Sequence, residues 1–189
     1  NGPSIFPNTA VALRFRFQPA ESFSFSAALF DGHPGAPDNG DKFDLMLSRS
    51  EGIFSIAEAA YTAGEETKFG VGAWYYTGPY ADQCTAIDGA DPLMRSDNAG
   101  LYLIADQLVW TSTETEGRSV RWFGRTGFSN RHINDVRFHV GSGVSLRAPF
   151  ASRPDDRIGY AFALASFGED FRLVNEAAGN SVASFELAH

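Results

Sequence analysis

The side chains in this sequence with solute-binding chemistry are mostly basic. Arg14, Arg16, Lys68, Arg121, Arg125, Arg137, His139 and Arg147 recur along the chain, with Glu58 and Glu186 as the acidic members of the set. Guanidinium and carboxylate groups exchange hydrogen bonds with hydroxyls, and the apolar face of a sugar ring stacks on an aromatic such as Trp74 or Tyr76. Recognition of a neutral polyol is the chemistry this set suits. Any one of these residues is equally at home on the solvent face of a soluble sheet, and Trp74 taken alone is as well explained by packing. Their repetition over neighbouring strands argues for a lined, water-filled path.

Catalysis has little footing. GxSxG, HExxH, GxGxxG and P-loop patterns are absent, and the four histidines lie far apart in sequence. Glu58 and Asp106 would serve as a glycosidase pair only at a defined carboxyl separation, which a sequence does not give. Asp38, Asp41 and Asp44 offer oxygen ligands but miss the EF-hand spacing, so they read as a solvated acidic loop. Cys84 lies in a Gly/Asp-rich stretch with no second cysteine in this sequence to pair with. The expectation is a non-enzyme without catalytic residue, cofactor or metal.

The elements that must position these side chains are strands. Residues 135–147 alternate strictly: Val136, Phe138, Val140, Val144 and Leu146 fall on one side, and Arg137, His139, Gly141, Gly143, Ser145 and Arg147 on the other. Half-buried strands of soluble sandwiches run to about five or six residues. This pattern persists for about twelve, enough for a tilted strand to cross a bilayer's hydrocarbon layer, which takes roughly nine to eleven.

Elsewhere the same alternation returns. Val11, Leu13, Phe15 and Phe17 oppose Arg14 and Arg16, a turn is expected at Pro19 and Ala20, and residues 22–30 complete a hairpin with Phe23, Phe25, Ala27 and Leu29 on its apolar side. Further strands are expected over 53–62, 68–77, 101–110, about 120–128, 158–164 and 182–188, giving about nine. The facing of 101–110 is ambiguous because Asp106 and Gln107 are adjacent. Connections at 18–21, 64–67, 112–118 and 148–156 are short. Those at 31–52, 78–99 and 168–180 read as long loops, the first with a short apolar stretch at 43–47; the loop at 129–134 is shorter than this alternation expects. Outer-membrane barrels alternate in this way, with short periplasmic turns and long external loops. Trp110 and Trp122, flanking one short turn, fit an interfacial aromatic girdle better than a binding site.

Composition sets the outer bounds. With 43% hydrophobic residues, nineteen glycines and seventeen phenylalanines, the chain favours a packed all-β structure. A net charge of −8 argues against a nucleic-acid surface, which needs clustered excess Lys and Arg. No run of eighteen apolar residues makes a transmembrane helix, a test blind to barrels.

Particular stretches resemble the carbohydrate-selective outer-membrane porins, the OprB-like family. They are Ala28-Leu-Phe-Asp-Gly-His-Pro-Gly35, Glu51-Gly-Ile-Phe-Ser-Ile-Ala-Glu58, Gly72-Ala-Trp-Tyr-Tyr-Thr-Gly78, Gly100-Leu-Tyr-Leu-Ile-Ala-Asp-Gln107, Phe123-Gly-Arg125, Arg153-Pro-Asp-Asp-Arg-Ile-Gly159 and Phe185-Glu-Leu187. Their order along almost the whole chain makes the resemblance specific. It implies an antiparallel transmembrane β-barrel of sixteen strands in the bacterial outer membrane, in contact with lipid, admitting mono- and small oligosaccharides by passive diffusion. At about twenty-one residues per strand such a barrel needs on the order of 340 residues. The chain therefore reads as a single partial barrel domain over 1–189, the C-terminal part of a porin. Eyelet arginines and a glutamate are expected in the family, and facing assigns Arg14, Arg16, Glu58, Lys68 and Trp74 to the constriction, with Arg121, Arg125, Arg137 and His139 on the same lumen wall. The oligomeric state, a homo-oligomer included, stays open. A soluble or secreted β-sandwich that binds carbohydrate is the rival, in which the phenylalanine rows would be a core between two sheets.

Overall fold

The computed structural model describes residues 11–31, 52–83, 93–96 and 98–188. The Asp38/Asp41/Asp44 cluster, the apolar stretch at 43–47 and Cys84 lie outside these residues. In chain order the elements are β1 (Ala12–Ala20), β2 (Phe23–Asp31), β3 (Ile53–Ala63), β4 (Thr67–Tyr76), β5 (Tyr80–Ala81), β6 (Met94–Arg95), β7 (Asn98–Thr111), β8 (Ser119–Ser129), β9 (Val136–Arg147), β10 (Arg157–Phe167), α1 (Glu169–Ala177) and β11 (Phe185–Ala188).

Nine of the strands form one antiparallel sheet in the order β1-β2-β3-β4-β7-β8-β9-β10-β11, and β5 pairs with β6 in a small second ribbon. Every neighbour in the large sheet is its nearest large-sheet neighbour in sequence. This is an up-and-down meander, and the local pairing follows from the short turns. Gly64 and Gly117 take positive φ in two of those turns, the left-handed conformation that glycine adopts without steric cost.

The expected boundaries hold with instructive shifts. β1 continues through Pro19 to Ala20, with a register break between Phe17 and Ala20. Proline lacks a ladder donor, and it is accommodated here on an edge strand at an irregularity. β7 is longer than expected, running from Asn98 to Thr111, with a bulge between Leu108 and Trp110 that switches the facing near its end. The stretch expected as a loop over 168–180 contains α1 instead. Its acidic first turn, Glu169 and Asp170, complements the positive helix N-terminus.

The two faces of the sheet differ completely. Cross-strand registers place Leu13, Phe15, Phe17, Phe25, Leu29, Tyr61, Phe69, Val71, Leu103, Trp122, Phe128, Val140, Val144, Tyr160 and Phe162 on one side. Of the register-paired large-sheet residues with ionised side chains, Asp31 at the end of β2 alone falls on this side. Nothing packs against it: Leu13 is 71% exposed, Phe15 63% and Tyr160 64%, and the buried apolar side chains among the described residues are Ile133 and Ala148. A soluble sandwich would hide these rows against a second sheet. The described residues contain no such sheet, so the sandwich alternative is not the architecture. Aromatic side chains band the apolar face near both strand ends: Phe23 and Tyr61, 5.0 Å apart between centroids, with Phe69 and Trp122 towards the short turns, and Phe128 and Phe138, 4.9 Å apart, towards the long connections. Bands of this kind flank the hydrocarbon layer in outer-membrane barrels.

Candidate functional site

The other face carries the chemistry. Arg14 and Arg16 on β1, Glu58 on β3, Lys68 and Trp74 on β4, Arg121 and Arg125 on β8, and His139 on β9 all point to this one side. So do Arg147, Arg157 and Glu186. Arg137, expected on the same wall, sits at the β9–β10 irregularity between Val136 and Phe138, outside the paired register, and bonds to Ser166, which pairs with Phe138 of the apolar row. Along the hydrogen-bond direction one row runs Arg16, Ser26, Glu58, Gly72, Tyr102, Gly127, His139, Ala165, Glu186. The period-two pattern of each strand creates the face, and the register stacks the rows.

The structure gathers five of these residues into two neighbouring concavities, with Arg16 and Glu58 outside both. Trp74, Arg125 and His139 border one of them with Tyr102 and Ser129. Lys68, Arg121 and Arg125 border the other with Asp106 and Phe123. Arg14 lies several strands away on β1. Arg137 is displaced towards the long connections, where its Nε donates to Ser166 Oγ at 3.3 Å.

Two acidic groups have defined partners. Tyr102 donates its hydroxyl proton to Glu58 Oε2 at 2.9 Å, and Arg121 makes an ion pair with Asp106 while donating to the Glu65 carbonyl oxygen. Glu58 and Asp106 stand two strands and four residues apart in register, roughly 16 Å between Cα atoms at standard sheet spacings. Each is engaged elsewhere, so the glycosidase pairing is not formed. Among the described residues no cluster of three or more His, Cys, Asp or Glu has metal-binding geometry.

Alternation placed Phe123 on this face beside Arg121 and Arg125, but Tyr102, Ser129 and Asp106 were not singled out for it by sequence reasoning. The adjacent Asp106 and Gln107 obscured the parity of β7. Gln107 in fact lies on the apolar side at the short-turn end, where Thr67 Oγ1 donates to its Oε1 at 2.9 Å. Reading Asn98, Gly100, Tyr102, Ile104 and Asp106 forwards from the strand start would have assigned the face.

Four glycines on the charged face sit beneath rings. Gly72 is paired with Tyr102 and Gly100 with Trp74 across β4 and β7; Gly127 is paired with His139 and Gly143 with Phe123 across β8 and β9. In each pair the ring occupies the space a Cβ would need, and all four glycines are buried.

At the long-connection end, polar contacts tie separate segments together. Gln83 Nε2 donates to Asp135 Oδ1 at 2.8 Å, Asn134 Nδ2 donates to Asn98 Oδ1 at 2.7 Å, and Arg95 Nε donates to the buried Asp82 carboxylate at 2.5 Å. His132 Nδ1 lies 2.6 Å from Asp170 Oδ2, fastening α1 to the loop between β8 and β9.

Comparison with known proteins gives a consistent picture. The family model described as "Carbohydrate-selective porin, OprB family" matches residues 1–186. Porin B of Pseudomonas aeruginosa (strain PAO1) is 24% identical over 190 residues, covering 92% of this chain and 42% of Porin B. The high-pH structure of Pseudomonas putida OprB is similar with a TM-score of 0.82 at 20% identity, covering 96% of this chain and 49% of that one. The chain thus spans about half the length of these relatives or less.

Proposed function

We propose that this chain, which belongs to the OprB family of carbohydrate-selective porins, forms one wall of an outer-membrane β-barrel through which small sugars diffuse passively. The carrying observation is the division of the sheet: its register-paired ionised strand residues lie on one face, with Asp31 at a strand end as the exception, while the opposite face is apolar and unpacked. A lipid-facing charge costs about 2–4 kcal/mol at mid-depth for Arg or Lys, so the charged side is the lumen. The nine strands then form a contiguous sector of a larger barrel, and the open sheet leaves β1 and β11 as edges for neighbouring strands to meet.

In the lumen, the arginines, Lys68 and Glu58 supply donors and acceptors for sugar hydroxyls, and Trp74 and Tyr102 supply aromatic surface for the apolar side of a pyranose. Short turns mark the periplasmic end and the tied long connections the external mouth. Passage down a gradient requires no cofactor and no covalent step.

The direct test is single-channel recording from the complete barrel in a planar bilayer, titrated with glucose against an osmotic control. Stepwise conductance that falls as sugar occupies the pore is the expected result. Absence of insertion, together with solubility of the intact protein without detergent, would overturn the reading.

A further inference from the structure

The lumen reading leaves open what sets the bore, and the following inference rests on that reading. Between β4 and β7, Gly72 faces Tyr102 and Trp74 faces Gly100, so each strand supplies one ring and one glycine. Between β8 and β9 the arrangement repeats, with Phe123 facing Gly143 and Gly127 facing His139. A glycine inside a strand weakens it and commonly marks close approach of another group. Here the group is identified: a methyl at Gly72, Gly100, Gly127 or Gly143 would overlap the ring of Tyr102, Trp74, His139 or Phe123. The rings help cover all four buried glycines on a face assigned to water, and at Gly143 the Tyr160 carbonyl oxygen lies as close as the Phe123 ring. Each ring is laid across the neighbouring strand and does not stand out from its own.

We propose that Gly72, Gly100, Gly127 and Gly143 are positioning residues that set the width of the sugar path. By recessing Tyr102, Trp74, His139 and Phe123 against the wall, they keep the lumen open to a monosaccharide and turn ring faces, not ring edges, towards it. Pore diameter and lining groups together decide what a channel passes.

The test uses Gly100→Ala and Gly127→Ala in the complete barrel. A methyl beneath Trp74 or His139 lifts the ring into the path, and single-channel conductance should fall by about a third to a half, a steric effect on pore diameter. Liposome swelling should slow more for a disaccharide than for a monosaccharide. Removing the displaced ring should rescue transport: Gly100→Ala/Trp74→Ala and Gly127→Ala/His139→Ala recover at least the original conductance, which general damage to the strands would not allow. Where an alanine variant fails to assemble, Trp74→Ala in the unaltered glycine background is decisive. A ring already recessed blocks little, so conductance should rise by less than about twofold, and a larger rise overturns the proposal. Assembled alanine variants with unchanged conductance and unchanged sugar-size preference overturn it too, as does failure of the double substitutions to recover transport. An unaltered barrel that passes no sugar removes the porin reading and this inference with it; a sugar-passing barrel indifferent to its glycines removes only the inference.

Discussion

Individual side chains on the charged face are held by modest forces, as the proposed passage of solutes over it would require. The Arg121–Asp106 pair illustrates this. Both side chains are 36% exposed, so solvent screening limits the pair to about 1 kcal/mol or less. Arg121→Ala should therefore change resistance to urea unfolding only slightly, while the loss of a lumen cation shifts the reversal potential in a salt gradient towards cation preference. A matching stability change of several kcal/mol would show that the residue is structural. For Trp74 the expected effect is on sugar contact. If its face stacks on a pyranose for about 1 kcal/mol, Trp74→Ala weakens sugar block of the current by roughly fivefold, read from the glucose titration. An unchanged titration would remove Trp74 from the binding set.

At the scale of elements, adjacent residues on one strand should behave oppositely. Leu103 lies on the apolar face of β7 and Ile104 on the charged face. Leu103→Arg places a cation in hydrocarbon and should destabilise the folded barrel by about 2–4 kcal/mol, whereas Ile104→Arg places it in water and should be tolerated. Urea titrations in liposomes distinguish the two, and equal costs would contradict the facing. A second element-level expectation concerns α1. Asp170 is buried and contacts His132, so Asp170→Asn should weaken the tie by about 1–3 kcal/mol and speed amide exchange in 169–177, leaving the strands protected. Unchanged exchange in the helix would show that other contacts hold it. The strands were legible because period two is imposed on every residue of a wall with oil on one side and water on the other, as Val136 to Arg147 demonstrate. The helix was not, because nine residues make only about two and a half turns between Gly- and Asn-containing flanks, and they depend on contacts such as His132–Asp170 that are remote in sequence. The candidate site was half legible: alternation gave the face of Arg14, Glu58, Trp74 and Arg125, but the Glu58–Tyr102 hydrogen bond and the ring-over-glycine pairs depend on register. Register is a property of two strands together.

For the molecule as a whole, the absence of a packed core among the described residues is the governing fact. Cohesion comes from the ladder of backbone hydrogen bonds, while the apolar face has no protein layer against it among the described residues. Among the described residues β1 and β11 each have one strand neighbour, so residues 11–188 expressed alone should associate in detergent and lack a defined single-channel conductance. A monodisperse, conducting preparation would overturn that expectation. The register adds one more property. Strands in such barrels tilt by about 35–45°, so a row perpendicular to them, such as the one from Arg16 through Glu58, Tyr102 and His139 to Glu186, climbs the wall obliquely. A sugar that keeps contact with this row must turn as it advances, as a nut turns on a thread of fixed hand. Mirror-image sugars of identical size and polarity meet that thread differently, so D- and L-glucose should cross at measurably different rates.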